Sequence, residues 1–420
     1  MPKAAETTLS NASPYRLPKE WTNEAGIGTG LDRFLQPYYC LVGRDERCRL
    51  LLGYIRGLLE AAPPKRLSKI AGAVADMFPD RRDLIQCLQQ FVGQSPWDDA
   101  PVRRRLAEDA RRILGPNARR AGDVFPAWVV QSMWIAKTGN SSVGVFRPLD
   151  RAGRPTENHQ HAVTLHLAIP GFSIMVDADL ALPEEWSQDS RRCEQCGIPP
   201  DRRESPTSLQ IAMRLLFRHA RRGETVIITT AGHRAISVIS KLRRKALHYC
   251  VKVRNDFPVW TPGPRYGRKP SHISRKTPRE RHLMDLVGGR RSRRFHRLRY
   301  GPGNEEVPCW HYPAGIDRGS SRKNHWALIE WPFEQREPSA CYLVKRKRNV
   351  PKQYLKRMKT LLDLAHLGET AAEAARFMKE SLGSGDYMGR GWRGWHHHMT
   401  MVMVAHAFCV EQQMPASAGE

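Results

Sequence analysis

Acid is what this chain has least of relative to its opposite. It has 42 Asp and Glu against 68 Lys and Arg, a formal net charge of +26 over 420 residues. That excess argues against a cationic partner and for a polyanion, because Lys and Arg neutralise phosphates and release their condensed counterions. Nucleic acid suits it, and a ribosome or an anionic membrane surface would suit the same charge. No run of about 18 apolar residues occurs, so no membrane-spanning helix is expected. The N-terminal stretch MPKAAETTLSNASPYRLPKEW is polar and lacks the apolar core of a secretory signal. The expected location is therefore the cytoplasm, with nucleoid association when DNA is bound. Cysteines number nine, odd and mostly in apolar contexts, as expected of reduced thiols. Cys193 and Cys196 form a lone CxxC. A structural zinc needs four ligands and no second pair exists, so these thiols read as adventitious. No G-x-x-x-x-G-K-[ST] phosphate loop, G-x-S-x-G nucleophile elbow or internal repeat is present.

What is there falls into segments. Residues 1–30 read as a flexible leader, with GIGTG at Gly26–Gly30 as a turn. Residues 31–120 read as a helical domain. Leu50, Leu51, Tyr54, Ile55, Leu58 and Leu59 recur at three- and four-residue spacing, Pro63-Pro64 breaks the pattern, and further helices cover Lys69–Phe78, Arg81–Val92 and Val102–Leu114. From Val124 the period shortens. Strand patterns cover Trp128–Val130, Ala162–Pro170 and Ser173–Val176, followed by a helix at Ser208–Arg221, a strand at Thr225–Thr230, a helix at Ala235–Ala246 and a strand at Leu247–Val253. This alternation over 121–257 predicts an α/β sheet. Residues 258–345 read as a basic insertion. Thirteen Lys and Arg fall between Arg265 and Arg299, with Pro262, Pro264, Pro270 and Pro278 beforehand or among them. That part of it predicts a loop or strand-poor arm suited to tracking phosphates, with Arg290, Arg291, Arg293 and Arg294 as candidate nucleic-acid contacts. Asn324–Trp331 and Ala340–Val344 then read as two strands. Residues 346–412 read as C-terminal helices completing the core, and 413–420 as a tail.

Gly389–Phe408, GRGWRGWHHHMTMVMVAHAF, is the densest chemistry in the chain. Two tryptophans, two arginines and three histidines sit at the mouth of an apolar helix. Arg390 and Arg393 suit phosphate oxygens through their planar forks. Trp392 can stack on a base or anchor a core. Three consecutive histidines splay about 100° apart on a helix, so they do not converge on one metal. They read instead as packing or phosphate contacts. This block, with FVGQSPWDD at Phe91, LDRFLQPYYCLVGR at Leu31, YIRGLLE at Tyr54, GNSSVGVFR at Gly139, LPEEW at Leu182 and RCEQCGIP at Arg192, resembles DDE transposases of the insertion-sequence 701 family, in the family's order.

The resemblance covers roughly Leu31 to Val410. It implies a ribonuclease-H-like mixed sheet with an N-terminal helical domain. It implies double-stranded DNA carrying terminal inverted repeats as partner, and a homodimer as candidate assembly. It also implies metal-assisted cleavage and strand transfer, with magnesium held by three carboxylates. Those carboxylates are not where the motifs put them. Counting back from Ser142-Val143-Gly144 reaches Gln131 and Ser132, the second acid falls on Thr230, and the third, seven residues before Lys379, falls on Ala372. Candidate substitutes are Asp177 and Asp179, two apart on a strand-like segment, and Glu373, one residue from the third position. Surface carboxylates beside a turn is the plainer reading of the aspartates. Glu373 would face away, since one residue turns a helix by about 100°. The expectation is a transposase-type DNA-binding protein with impaired catalysis. The alternative is a domesticated, non-catalytic DNA-binding protein or repressor.

Overall fold

The computed structural model describes residues 14–15, 17, 27–121, 125–150, 152–229, 234–261, 279–287, 296–300, 305–317, 324–345 and 354–414. The chain forms two units. One contains 1–120, 128–220 and 369–420, and the other contains 121–127 and 221–368.

The first unit begins with five helices: α1 (Ile27–Val42), α2 (Asp45–Glu60), α3 (Leu67–Ala73), α4 (Leu84–Gly93) and α5 (Asp99–Ala121). The stripe read from the sequence on α2 is the buried one, from Leu50 to Leu59. Tyr15 precedes these helices and is buried. Its phenol donates to the Ser173 carbonyl (3.4 Å) and accepts from the Ser173 N–H (2.7 Å). Three strands follow, β1 (Ala127–Ala136), β2 (His159–Ile169) and β3 (Phe172–Leu180), in spatial order β3-β2-β1. β2 and β3 run antiparallel, with a register shift between Leu165 and His166. Short helices α6 (Glu184–Ser187) and α7 (Ser190–Gln195) lead to α8 (Ser208–His219). The start of α8 is written into its sequence. Thr207 accepts from the Gln210 backbone and the Gln210 side chain accepts from the Thr207 backbone, a reciprocal cap on two otherwise unpaired amides.

The second unit opens with β4 (Thr225–Ile228), α9 (Ala235–Arg244) and β5 (His248–Val253). β4 and β5 are parallel, as the intervening helix requires. A pair of strands, β6 (Pro258–Thr261) and β7 (Arg279–His282), forms its own antiparallel ribbon. Four further strands extend the unit: β8 (His296–Tyr300), β9 (Glu305–Ala314), β10 (His325–Glu330) and β11 (Ala340–Lys345). The order is β4-β5-β11-β10-β9-β8, with every pair after the first antiparallel. The strand-poor reading of 258–302 is therefore corrected: its described residues contain β6, β7 and β8. Arg290, Arg291, Arg293 and Arg294, and Thr230, lie outside the described residues.

Helix α10 (Tyr354–Ser381) carries the chain from the second unit back into the first, and α11 (Trp392–Gln413) ends it. Every side chain of α11 from Gly394 to Val410 is buried, because β3, α2 and α4 surround it. The chain is thus a mixed α/β protein. Three strands with an antiparallel β2–β3 pair, then helix, strand, helix and parallel strand, make the ribonuclease-H-like succession.

Candidate functional site

β3 carries the candidate aspartates, and both of its faces are covered: every residue after Phe172 is buried. α8 and α11 both pack on this strand. Asp177 and Asp179 are consequently not surface carboxylates, contrary to expectation. Asp177 accepts from Arg103 Nη1 of α5 (2.8 Å), Arg218 Nη1 (2.7 Å) and His219 Nε2 (2.7 Å) of α8, and from the Ala178 N–H (2.9 Å). Asp179 accepts from Arg214 (2.8 Å), Arg202 (3.1 Å) and His396 Nε2 (3.3 Å). Burial alone would raise the Asp177 carboxyl. Arg103, His219 and Arg218 overcome it and hold the group well below the usual carboxylate range. Burial likewise opposes ionisation of Asp179, and His396, Arg214 and Arg202 prevail. Lone pairs occupied by guanidinium and imidazole donors are not offered to a metal ion. The ion pairs join β3 to α5, α8 and α11, so these residues tie elements together.

The three adjacent histidines diverge as the helical spacing predicts. His396 reaches Asp179 and the Trp392 carbonyl. His397 bonds the carbonyls of Val92 (2.9 Å) and Trp97 (3.0 Å) and stacks on Trp97 at 3.7 Å between ring centroids. His398 meets the Tyr54 hydroxyl and the Gly383 carbonyl, both at 2.9 Å. Each clamps a different part of the unit to α11. Trp395 is fully buried, whereas Trp392 is half-buried against His396, and Arg390 and Arg393 are exposed. Beside them lies a cleft of about 520 Å³ lined by Asp98, Asp99, Asp201, Arg202, Trp392 and Arg393, among others.

The segment 383–391, before α11, is held from two sides. Lys137, the residue after β1, donates to the carbonyls of Gly385 (3.0 Å) and Tyr387 (2.8 Å), and burial lowers its ammonium to about 8. The Lys65 N–H donates to Asp386 (2.6 Å) and its ammonium to the Ala61 carbonyl. Gly383 has φ +70°, a conformation that favours glycine, and lies against the Lys65 side chain. Gly389 and Gly394 matter for space. A methyl on either would overlap the Tyr387 hydroxyl, and at 394 it would also come within 3.3 Å of the Gly93 Cα. Gly394→Ala is expected to cost about 1–3 kcal/mol in a thermal or denaturant melt. Tyr387→Ala in the same chain should recover part of that loss. An unchanged midpoint in the single variant would show that the ring has room to move.

Of the positions where the sequence motifs seek acids, Gln131 is half-buried on β1, Ser132 is exposed, and Ala372 is exposed on α10. A carboxamide, a hydroxyl and a methyl supply no negative charge for a divalent ion. Glu373 is half-buried and stands within electrostatic reach of Tyr15, whose phenol is pushed up by burial and, after the opposing Ser173 contact, by this carboxylate. Among the described residues, no group of three His, Cys, Asp or Glu side chains could hold a metal. Among the described residues, those at the motif positions therefore do not fit the metal site of a three-carboxylate enzyme. None of the nine cysteines is bridged, and the Cys193 thiol donates to the Trp186 carbonyl (3.0 Å). No helix among the described residues is long and apolar enough to cross a membrane.

Motif reading missed Arg103, Arg202, Arg214 and Arg218, which complete the ion cluster, and Lys65 and Lys137, which hold the 383–391 segment. A weak signal existed for one of them. Asp99 and Arg103 are four apart on α5 and form an ion pair.

An α/β protein with a ribonuclease-H-like succession of elements, a basic composition and a polar cleft is the class to which this architecture belongs. The match to a known family makes it specific. Residues 37–298, more than half of the chain, match the model of the DDE superfamily endonucleases, and the chain belongs to that family. The family generally uses divalent metal ions. No curated protein matches the chain significantly in sequence. A cryo-EM structure of a piggyBac transposase synaptic complex with hairpin DNA is similar over 95% of this chain and 74% of that one, at 11% identity and a TM-score of 0.43.

Proposed function

We propose that this protein is a transposase of insertion-sequence 701 type that binds double-stranded DNA at terminal inverted repeats but no longer cleaves it. The observation that carries this reading is the chemistry at the motif positions. Within a DDE endonuclease chain, Gln131 and Ala372 stand where carboxylates are needed, and the nearby aspartates are committed to arginines. The capacity to bind a polyanion is undiminished. The net charge is +26, and Arg390 and Arg393 are exposed beside half-buried Trp392. Magnesium has no role in this reading, because no described carboxylate set fits it. A protein that binds such ends without cutting them would act as a competitor or repressor of an intact copy, working in the nucleoid.

A gel experiment tests this directly. Labelled fragments ending in inverted repeats are mixed with the protein, with and without magnesium or manganese. The expected result is a specific shift with no nicking, and a shift that weakens steeply with salt as released counterions are restored. Metal-dependent nicking by the unaltered chain would overturn the loss of catalysis. Absence of any shift would overturn DNA binding itself.

A further inference from the structure

Two adjoining cavities of the first unit belong neither to the ion cluster nor to the motif positions. They share Arg66, Asp386, Tyr387, Met388 and Arg390. The smaller, about 450 Å³, adds Lys137 and the hydroxyl residues Thr138, Ser141 and Ser142. The larger, about 730 Å³, adds Ile85, Gln89 and Gln94 beside the Tyr387 ring. Each holds three cationic side chains against the Asp386 carboxylate, the two shared arginines with Lys137 in the smaller and with Lys65 in the larger, and the smaller sets three hydroxyl residues beside them. The larger holds an aromatic ring, two exposed apolar side chains (Ile85 at 49% and Met388 at 72% exposure) and two carboxamides.

The arginines at the shared wall differ from those of α5 and of the ion cluster. Arg103, Arg105, Arg112, Arg202, Arg214 and Arg218 all meet acids. Arg66 and Arg390 are exposed and have no acidic partner among the described residues. Unpaired guanidinium groups at the mouth of a recess suit phosphate, which accepts both arms of the fork. A ring, apolar side chains and amides next to a phosphate subsite suit a nucleobase, which offers a face for stacking and an edge for hydrogen bonds. A paired duplex presents only convex backbone to such a recess, because its bases are stacked inside.

We propose that these two cavities form a nucleotide site that takes an unpaired nucleotide of bound DNA, with phosphate at Arg66 and Arg390 and base beside Tyr387, Gln89 and Gln94. This rests on the DNA-binding reading and adds to it a preference for unpaired ends. Tyr387 has its place there because Gly389 and Gly394 leave its hydroxyl room, so those glycines shape the base subsite.

The test compares two DNAs by fluorescence anisotropy. One is a hairpin-capped duplex with a blunt end, and the other is the same duplex with a short unpaired 3′ tail. Stacking of one base predicts about tenfold tighter binding of the tailed DNA. The readout is the affinity ratio, which a general loss of charge does not move. In Arg66→Ala/Arg390→Ala, and separately in Gln89→Ala, that ratio should fall toward one with the melting temperature unchanged. Equal affinity of the unaltered protein for both DNAs would overturn the site and leave duplex binding standing. A ratio kept in both variants would overturn it too. Failure to bind either DNA would remove the parent reading along with it. A free deoxynucleoside monophosphate serves as competitor. Weak competition at millimolar concentration supports a nucleotide tethered in DNA, and binding tighter than the tailed duplex would overturn that assignment.

Discussion

Asp177→Ala is expected to destabilise the first unit by about 3–5 kcal/mol, the range for removing one partner of a buried ion pair. Asp177 is fully buried and accepts from Arg103, Arg218 and His219 at 2.7–2.8 Å. Without it the buried Arg103 guanidinium keeps Asp99 as its acidic partner but loses the aspartate that neutralises it on β3. A loss of that size is a large share of the about 5–15 kcal/mol that holds a typical domain together. Chemical denaturation followed by tryptophan fluorescence measures it. The paired change Asp177→Leu/Arg103→Leu should recover much of the loss, because buried ions replaced together by apolar side chains are often tolerated. A shift of less than 1 kcal/mol in Asp177→Ala would mean that the cluster does not hold the unit together. The same variant also separates two roles for this residue. A metal ligand in an open site could be removed with little loss of stability, whereas this carboxylate cannot.

Acid should weaken the protein well before its carboxylates titrate. Burial lowers His398 to about 4, and His406 and His166 to about 3. Unfolded histidines take protons near pH 6.5. As pH falls below that value the unfolded chain binds protons that the folded chain refuses, so stability falls with pH down to about 4 and below. His398 alone accounts for about 3 kcal/mol over this window, at about 1.4 kcal/mol per pH unit. Asp177 works in a lower range. Its depressed carboxyl keeps its contribution above the unfolded value near 3.9 and loses it only below that. A drop in denaturant midpoint between pH 6.5 and 4.5 therefore reports the histidines. His406 offers a control, since neither of its ring nitrogens has a hydrogen-bond partner among the described residues. His406→Phe should raise stability at neutral pH, by removing an unsatisfied buried polar ring, and make the acid slope shallower. A midpoint flat from pH 7 to 4.5 would contradict this account.

Local pattern made much of the fold legible. The α2 stripe, helix α8 and the apolar β4, β10 and β11 each follow from short-range chemistry visible in a window of ten residues. β7, β8 and β9 did not, for a physical reason. Their sequences RERH, HRLRY and EEVPCWHYPA are charged or proline-bearing, and their state is decided by pairing with a partner strand rather than by their own pattern. The candidate site divides in the same way. The spacing of the three histidines predicted their divergence. The ion cluster was hidden, because Arg103 and Asp177 are 74 residues apart and no sequence motif links them. Asp177 and Asp179 were read as surface groups because a turn follows them, whereas α8 and α11 both pack on the strand. The role of Tyr387 was equally out of sight, since it depends on glycines whose missing methyls leave the space it fills.

The first unit is drawn from three stretches of chain, and α11, the last of them, fills the space among β3, α2 and α4. Translation at about 5–20 residues per second leaves the early helices outside the ribosome for roughly 15–60 s before α11 is made. Throughout that interval the apolar faces of α2 and α4 have no covering helix, and Tyr54 waits for His398. A nascent chain in that condition is a client for holding chaperones. A premature stop before Trp392, or within the first turns of α11, would cost the cell the N-terminal helices as well, because they would be left open to proteases.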